Sequence, residues 1–120
     1  AICAILDRLR PAADRRPPER LIEFVTGWDR TAPMVFHCYA GISRSGAAAF
    51  TAACALNPKR DEAEIAKALR RASPIASPNI RIVALADAAL GRKGRMVRAI
   101  EEIGAGQSAL ENIPYRLDLV

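Results

Sequence analysis

The sequence predicts an α/β fold in which a small, mainly parallel sheet is flanked by helices. Two short apolar runs, residues 1–6 and 34–36, have the length and composition of buried strands. Between them, a segment that starts at Pro17 and Pro18 carries apolar residues at helical spacing up to Gly27. Strand, helix and strand in that order are typical of a parallel crossover unit. With 120 residues and 51% hydrophobic content, we expect a single domain over residues 1–120.

Four further helices are expected after the second apolar run. The first follows Ser45, runs to about Leu56 and is stopped by Asn57 and Pro58. The others are expected over residues 61–72, with Asp61 as the N-terminal cap, over 80–90, closed by Gly91, and over 96–103, broken by Gly104. The predicted buried stripe of the 80–90 helix is Ile80, Val83, Ala84 and Ala88.

Charge and composition limit the classes of partner. The formal net charge is +5 and the pI is about 9.6, which favours phosphorylated partners. Aromatic residues make up only 5% of the chain, so a stacking surface for nucleic acid is not expected. The basic cluster Arg92, Lys93, Arg95 and Arg98 is interpreted as a solvated helix flank, with contact to an acidic partner as the alternative.

The cysteines and the hydropathy pattern bear on location. The three cysteines lack the spacing of a disulfide framework or a metal site, which is typical of a reducing cytoplasm. The chain contains no apolar run of membrane-spanning length and no charged leader, so we expect neither membrane insertion nor export. The oligomeric state is left open.

The chemistry of the chain is concentrated between residues 37 and 45. The strand predicted at 34–36 leads into Cys38, Gly41 permits a sharp turn, and Arg44 falls where the next helix begins. Backbone N–H groups of such a loop converge at a helix N-terminus, where the helix dipole also favours an anion. Arg44 can offer two parallel hydrogen bonds to a phosphate. The same field favours the thiolate of Cys38, which makes it an in-line nucleophile toward a bound phosphate.

His37, Cys38, Arg44 and Ser45, with five residues between the cysteine and the arginine, resemble the signature of the protein tyrosine phosphatase superfamily. The small size of the chain resembles the dual-specificity branch, particularly its short bacterial members. The resemblance implies hydrolysis of a phosphorylated protein through a phosphocysteine, with neither metal nor cofactor. It gives Cys38 the role of nucleophile and Arg44 that of phosphate clamp, while Ser45 assists departure of the thiolate and His37 supports the loop. The phosphate-binding residues are Tyr39, Ala40, Gly41, Ile42, Ser43 and Arg44.

The resemblance also implies a general-acid aspartate, about thirty residues before the cysteine, on the loop between residues 7 and 18. Asp7 has the best spacing and Asp14 is the alternative. A shift of register would instead place Ala4 at that position, and the acid would then be lacking. Relatives carry further strands before this point, so we expect the sheet to lack N-terminal elements. The loop before the 80–90 helix approaches the phosphate in the family, which makes Asn79 either a site contact or a helix cap.

Two other functions remain open. A phosphatase-like module that binds phosphorylated ligands and turns them over poorly would fit an enzyme without its acid. A phosphoinositide or RNA phosphatase is less favoured, because the loop from Tyr39 to Ser43 contains no additional basic residue. Cys54 is interpreted as a core residue, with a disulfide to Cys38 as the alternative.

Overall fold

A computed structural model describes residues 2–3, 17–31, 34–36, 42–109 and 115–117 of the chain. These residues form five helices and three two-residue strands. In chain order they are β1 (Ile2–Cys3), α1 (Pro17–Thr26), β2 (Met34–Val35), α2 (Arg44–Leu56), α3 (Glu62–Ala72), α4 (Ile80–Leu90), α5 (Arg95–Ile103) and β3 (Arg116–Leu117).

The prediction of an α/β fold built on a mainly parallel sheet is wrong. The described part of the chain is mostly helical, and each strand contains only two residues. β1 pairs in parallel with β2 and antiparallel with β3, in the order β2-β1-β3. A parallel sheet buries both of its faces, whereas Val35 is 43% exposed. The physical reason lies in the composition, because the apolar content rests heavily on alanine, which favours helices and is depleted in strands.

The core of the described residues lies between helices. α2 is its centre, since every residue from Ser45 to Cys54 is buried. One face of α2 packs through Phe50 against a cluster contributed by α3, α4 and α5, and another packs through Ala48 and Ala52 against α1 and β2. Six alanines in α2 keep its surface flat enough for neighbouring helices to approach closely.

The helix ends follow the sequence signals closely. Asp61 accepts a hydrogen bond from Ala63 N at the start of α3, as its position predicts. Gly91 closes α4 in the left-handed region, with φ of 66°, and Gly104 follows α5. The buried stripe predicted for α4 is wrong in part: Val83 and Ala86 are buried, but Ile80 is 45% exposed, and Ala84 and Ala88 are exposed.

The interpretation of Arg92 as a solvated residue is also wrong. Arg92 is buried at the α4–α5 turn, where its Nη1 lies 2.8 Å from Glu62 Oε2 and its Nη2 donates to the carbonyl oxygen of Cys54 at 2.7 Å. The Nε of Arg95 lies 3.2 Å from the same Glu62 oxygen. The guanidinium of Arg92 therefore links α2, α3 and the α4–α5 turn. Its partners are distant in sequence, which is why the local charge pattern did not reveal them.

No helix in this described part of the protein has both the length and the apolar character required to cross a lipid bilayer.

Candidate functional site

The structure describes only one end of the predicted site. Ile42, Ser43, Arg44 and Ser45 belong to the described residues. Outside them lie the nucleophile and most of the loop, as well as the candidate acids: Asp7, Asp14, His37, Cys38, Tyr39, Ala40 and Gly41.

Arg44 is the first residue of α2, in agreement with the expectation that an arginine begins this helix. Its side chain is exposed, whereas the neighbouring Ser45 is fully buried. Ser43 occupies the cap position but its side chain makes no capping hydrogen bond, and the first turn contains no acidic residue. The positive end of the helix dipole is therefore not offset by a carboxylate of its own first turn.

Two hydrogen bonds fix the backbone just before α2. Ser77 N donates to the carbonyl oxygen of Ile42 at 2.8 Å, and Asn79 N donates to that of Ser43 at 3.0 Å. In a trans peptide, the carbonyl and the following N–H point in opposite directions. The N–H groups of Ser43 and Arg44 are therefore directed away from residues 77–79. The N–H groups at the start of α2 and the residues that hold this backbone in place therefore lie on opposite sides of the turn.

The first turn of α2 also packs closely against two residues far away in sequence. A Cβ atom built on Gly46 would lie 3.6 Å from Pro78 Cγ and 3.8 Å from the hydroxyl oxygen of Tyr115. Pro78 is buried, and Tyr115 directly precedes β3. The sequence pattern gave no signal for Tyr115, because the tail of the chain shows no periodicity.

Asn79 combines a capping role with a backbone contact at the candidate site. Its side-chain Oδ1 accepts from Ile82 N at 3.0 Å and caps α4, which confirms one of its two predicted roles. Its backbone N–H contacts Ser43 instead of pointing at a ligand. The contribution of Ser77 was missed, since a backbone donor leaves no mark in the sequence.

Cys54 differs from the nucleophile expected at position 38. It is completely buried in α2, and burial raises the pKa of its thiol to about 12, despite the opposing charge of Arg92. A thiol of this kind is unsuited to nucleophilic attack near neutral pH.

The residues that the structure describes contain no group of three or more histidines, cysteines or acidic residues able to hold a metal ion.

Comparisons with known proteins found no similarity from which to assign a family. A scan against protein-family models, a search of curated proteins and a search of solved structures each returned no match.

Proposed function

We propose that this protein is a cysteine-dependent phosphomonoester hydrolase acting on phosphorylated proteins, with Cys38 as nucleophile and Arg44 as phosphate clamp. The observation that carries the proposal is the position of Arg44 at the first residue of α2, six residues after Cys38, in a helix start without an acidic side chain. A phosphate bound there would meet a guanidinium, backbone N–H groups and the positive end of a helix.

The reaction balances without a metal or a cofactor. The Cys38 thiolate attacks phosphorus, a sulfur–phosphorus bond forms, and the bond from phosphorus to the ester oxygen breaks. The leaving oxygen takes a proton from a general acid, for which Asp7 is the first candidate and Asp14 the second. Water then attacks the phosphocysteine, the sulfur–phosphorus bond breaks, and the proton of the water passes to the carboxylate. The products are the free hydroxyl and inorganic phosphate, and the thiolate is restored.

In the family that the chain resembles, the hydroxyl at the position of Ser45 acts in the second step. Its hydroxyl lies on the first turn of α2 and is fully buried, so its orientation is restricted by packing. A hydroxyl that donates to the departing thiolate would stabilise the charge that develops on sulfur. We therefore assign to Ser45 the hydrolysis of the intermediate and not its formation.

The test is hydrolysis of p-nitrophenyl phosphate as a function of pH, by the unmodified chain and by Cys38→Ser, Arg44→Lys and Asp7→Asn. We expect no turnover with Cys38→Ser and a loss in kcat/KM of about 100-fold with Arg44→Lys, because lysine cannot form the bidentate contact. Asp7→Asn should remove the alkaline limb of the profile, and if it does not, Asp14→Asn is the next variant. The rates at which the chain hydrolyses tyrosine- and serine-phosphorylated peptides then rank these substrates.

Cys54→Ala is the matched control, because it removes a cysteine that the proposed reaction does not use and leaves an alanine in an alanine-rich helix. We expect its activity to equal that of the unmodified chain. Phosphate binding without turnover would contradict the proposed hydrolase activity and favour a module that only binds phosphorylated ligands. Turnover that survives Cys38→Ser would contradict both.

A further inference from the structure

The segment between α3 and α4, residues 73–79, is held by one guanidinium. Arg70 Nη1 donates to the carbonyl oxygens of Ser73, Pro74 and Ala76 at 3.1, 3.0 and 2.7 Å. Its Nη2 donates to the carbonyl oxygen of Gly104 at 2.8 Å, just after α5. One side chain therefore closes this segment on itself and ties it to the end of α5.

The segment 104–107 supports the same loop from the other side. Gly106 N donates to Ser77 Oγ at 2.8 Å, and Gln107 N donates to the carbonyl oxygen of Pro74 at 2.9 Å. At Gly106 the two segments touch so closely that a Cβ would overlap with the carbonyl group of Ile75. The loop is thus fixed by hydrogen bonds along its length and by a contact that only glycine permits.

The far end of this loop carries the two donors that fix the start of α2. Ser77 N and Asn79 N bind the carbonyl oxygens of Ile42 and Ser43, and so orient the N–H groups of Ser43 and Arg44. The carbonyl of Ala76 and the N–H of Ser77 belong to one peptide group, so loss of the bond from Arg70 to Ala76 removes one of the contacts that orient the Ser77 donor, and the contact from Gly106 to Ser77 Oγ remains. We propose that Arg70 is a positioning residue for the phosphate-binding turn at the start of α2. This inference rests on the proposed function.

Charge alone does not explain the role of Arg70. Its adjacent neighbour Arg71 carries the same charge and is exposed on the same helix. A lysine at position 70 would keep the charge but could not present the planar fork that reaches four carbonyl oxygens. Arg70→Lys therefore tests geometry at constant charge, and Arg71→Lys is its matched control.

The first measurement is amide hydrogen exchange, which needs no substrate. In Arg70→Lys we expect faster exchange at Ser77 and Asn79, with Met96 in α5 unchanged as an internal reference. Ser77→Ala, which removes the acceptor of Gly106 N, is a second variant in the same loop and should accelerate exchange at Asn79. Unchanged exchange at these amides, or an equal acceleration at Met96 and throughout the protein, would overturn the positioning role.

The second measurement is kinetic. In Arg70→Lys we expect kcat/KM for p-nitrophenyl phosphate to fall about 10- to 100-fold, since small misplacements of binding groups have effects of this size. The inhibition constant for inorganic phosphate should rise, and the acidic limb that reports ionisation of Cys38 should move to higher pH. A lower folded fraction alone would change neither the inhibition constant for phosphate nor the position of the acidic limb. Unaltered phosphate inhibition and an unmoved acidic limb would contradict the role of Arg70.

The two proposals fail differently. If the unmodified chain hydrolyses no phosphomonoester, the proposed function is wrong, and Arg70 then positions no phosphate-binding turn, whatever the exchange data show. If the chain is active but Arg70→Lys and Arg71→Lys behave alike, only the inference about Arg70 is wrong.

Discussion

Glu62 and Arg92 form a buried ion pair whose value depends on both partners being present. Each side chain is 7% exposed, and the carboxylate also accepts from Arg95. Burial by itself would raise the pKa of Glu62, but hydrogen bonds from Arg92 and Arg95 outweigh that effect and hold the pKa below its usual range. Removing one charge of such a pair leaves the other buried without compensation.

We predict that Glu62→Gln lowers the free energy of unfolding by about 3 kcal/mol at neutral pH. The matched control is Glu64→Gln on the exposed side of α3, where a change within about 0.5 kcal/mol is expected. Urea denaturation measures both. Because the pKa of Glu62 is lowered in the folded state, its contribution is present above the unfolded pKa of about 4.3 and is lost as pH falls through the folded pKa. The acid loss of stability should therefore be less steep in Glu62→Gln, and equal stability of the two variants would contradict the account.

The thiol of Cys54 should be inert in the folded protein. Its side chain is fully buried, and burial raises its pKa to about 12. Treatment of the native protein with iodoacetamide at pH 8, followed by peptide mass mapping, should leave Cys54 unmodified until denaturant is added. Its neutral form contributes stability below the unfolded pKa of about 8.5, and that contribution is lost as pH rises toward the folded value. Rapid alkylation of Cys54 without denaturant would contradict the close packing of α2 around this residue.

At the scale of elements, α5 obtains its N-terminal cap from α4. Gly94 precedes α5 in the left-handed region, with φ of 84°, and has no side chain with which to cap it. Asp87, buried in α4, accepts from Gly94 N and Met96 N with its two carboxylate oxygens, each at 2.8 Å. One carboxylate thus satisfies two N–H groups and faces the positive end of the α5 dipole.

We predict that Asp87→Asn lowers the free energy of unfolding by about 1–2 kcal/mol, because an amide offers only one acceptor oxygen and no charge. Thermal and urea unfolding measure the loss, and amide exchange should show it most strongly at Met96. Glu101→Gln, on the exposed side of α5, is the control and should change little. Unchanged protection of Met96 in Asp87→Asn would contradict the shared cap.

At the scale of the whole molecule, the helices were predictable and their arrangement was not. The bounds of α2, α3, α4 and α5 followed from capping residues and breakers, which act locally. The predicted fold class was wrong because a short apolar run looks the same whether it forms a long strand in the core of a sheet or contains only a two-residue strand. In α4, alanines lie on every side of the helix, so the buried stripe was predicted only in part: Val83 is buried as expected, but packing selects Ala86 and leaves Ala84 and Ala88 exposed.

The candidate site, too, was predictable only where local sequence determines it. The position of Arg44 at the start of α2 followed from local spacing. The site is supported by hydrogen bonds from Ser77, Asn79 and Arg70. Some of these bonds reach backbone groups 34 or more residues away, and the others lie within the α3–α4 loop. Neither kind of contact leaves a periodic signal in the sequence. The identity of the acid stays a prediction, since Asp7 and Asp14 lie outside the described residues.

Capture of the phosphocysteine would show whether Cys38 is the nucleophile. Ser45→Ala, which keeps the size of a buried side chain nearly constant, should slow hydrolysis of the intermediate more than its formation. After brief reaction with p-nitrophenyl phosphate and acid quenching, peptide mass analysis should find one phosphoryl group on Cys38, and Cys38→Ser should carry none. A phosphoryl group on another residue, or turnover that persists in Cys38→Ser, would contradict a cysteine-dependent phosphatase.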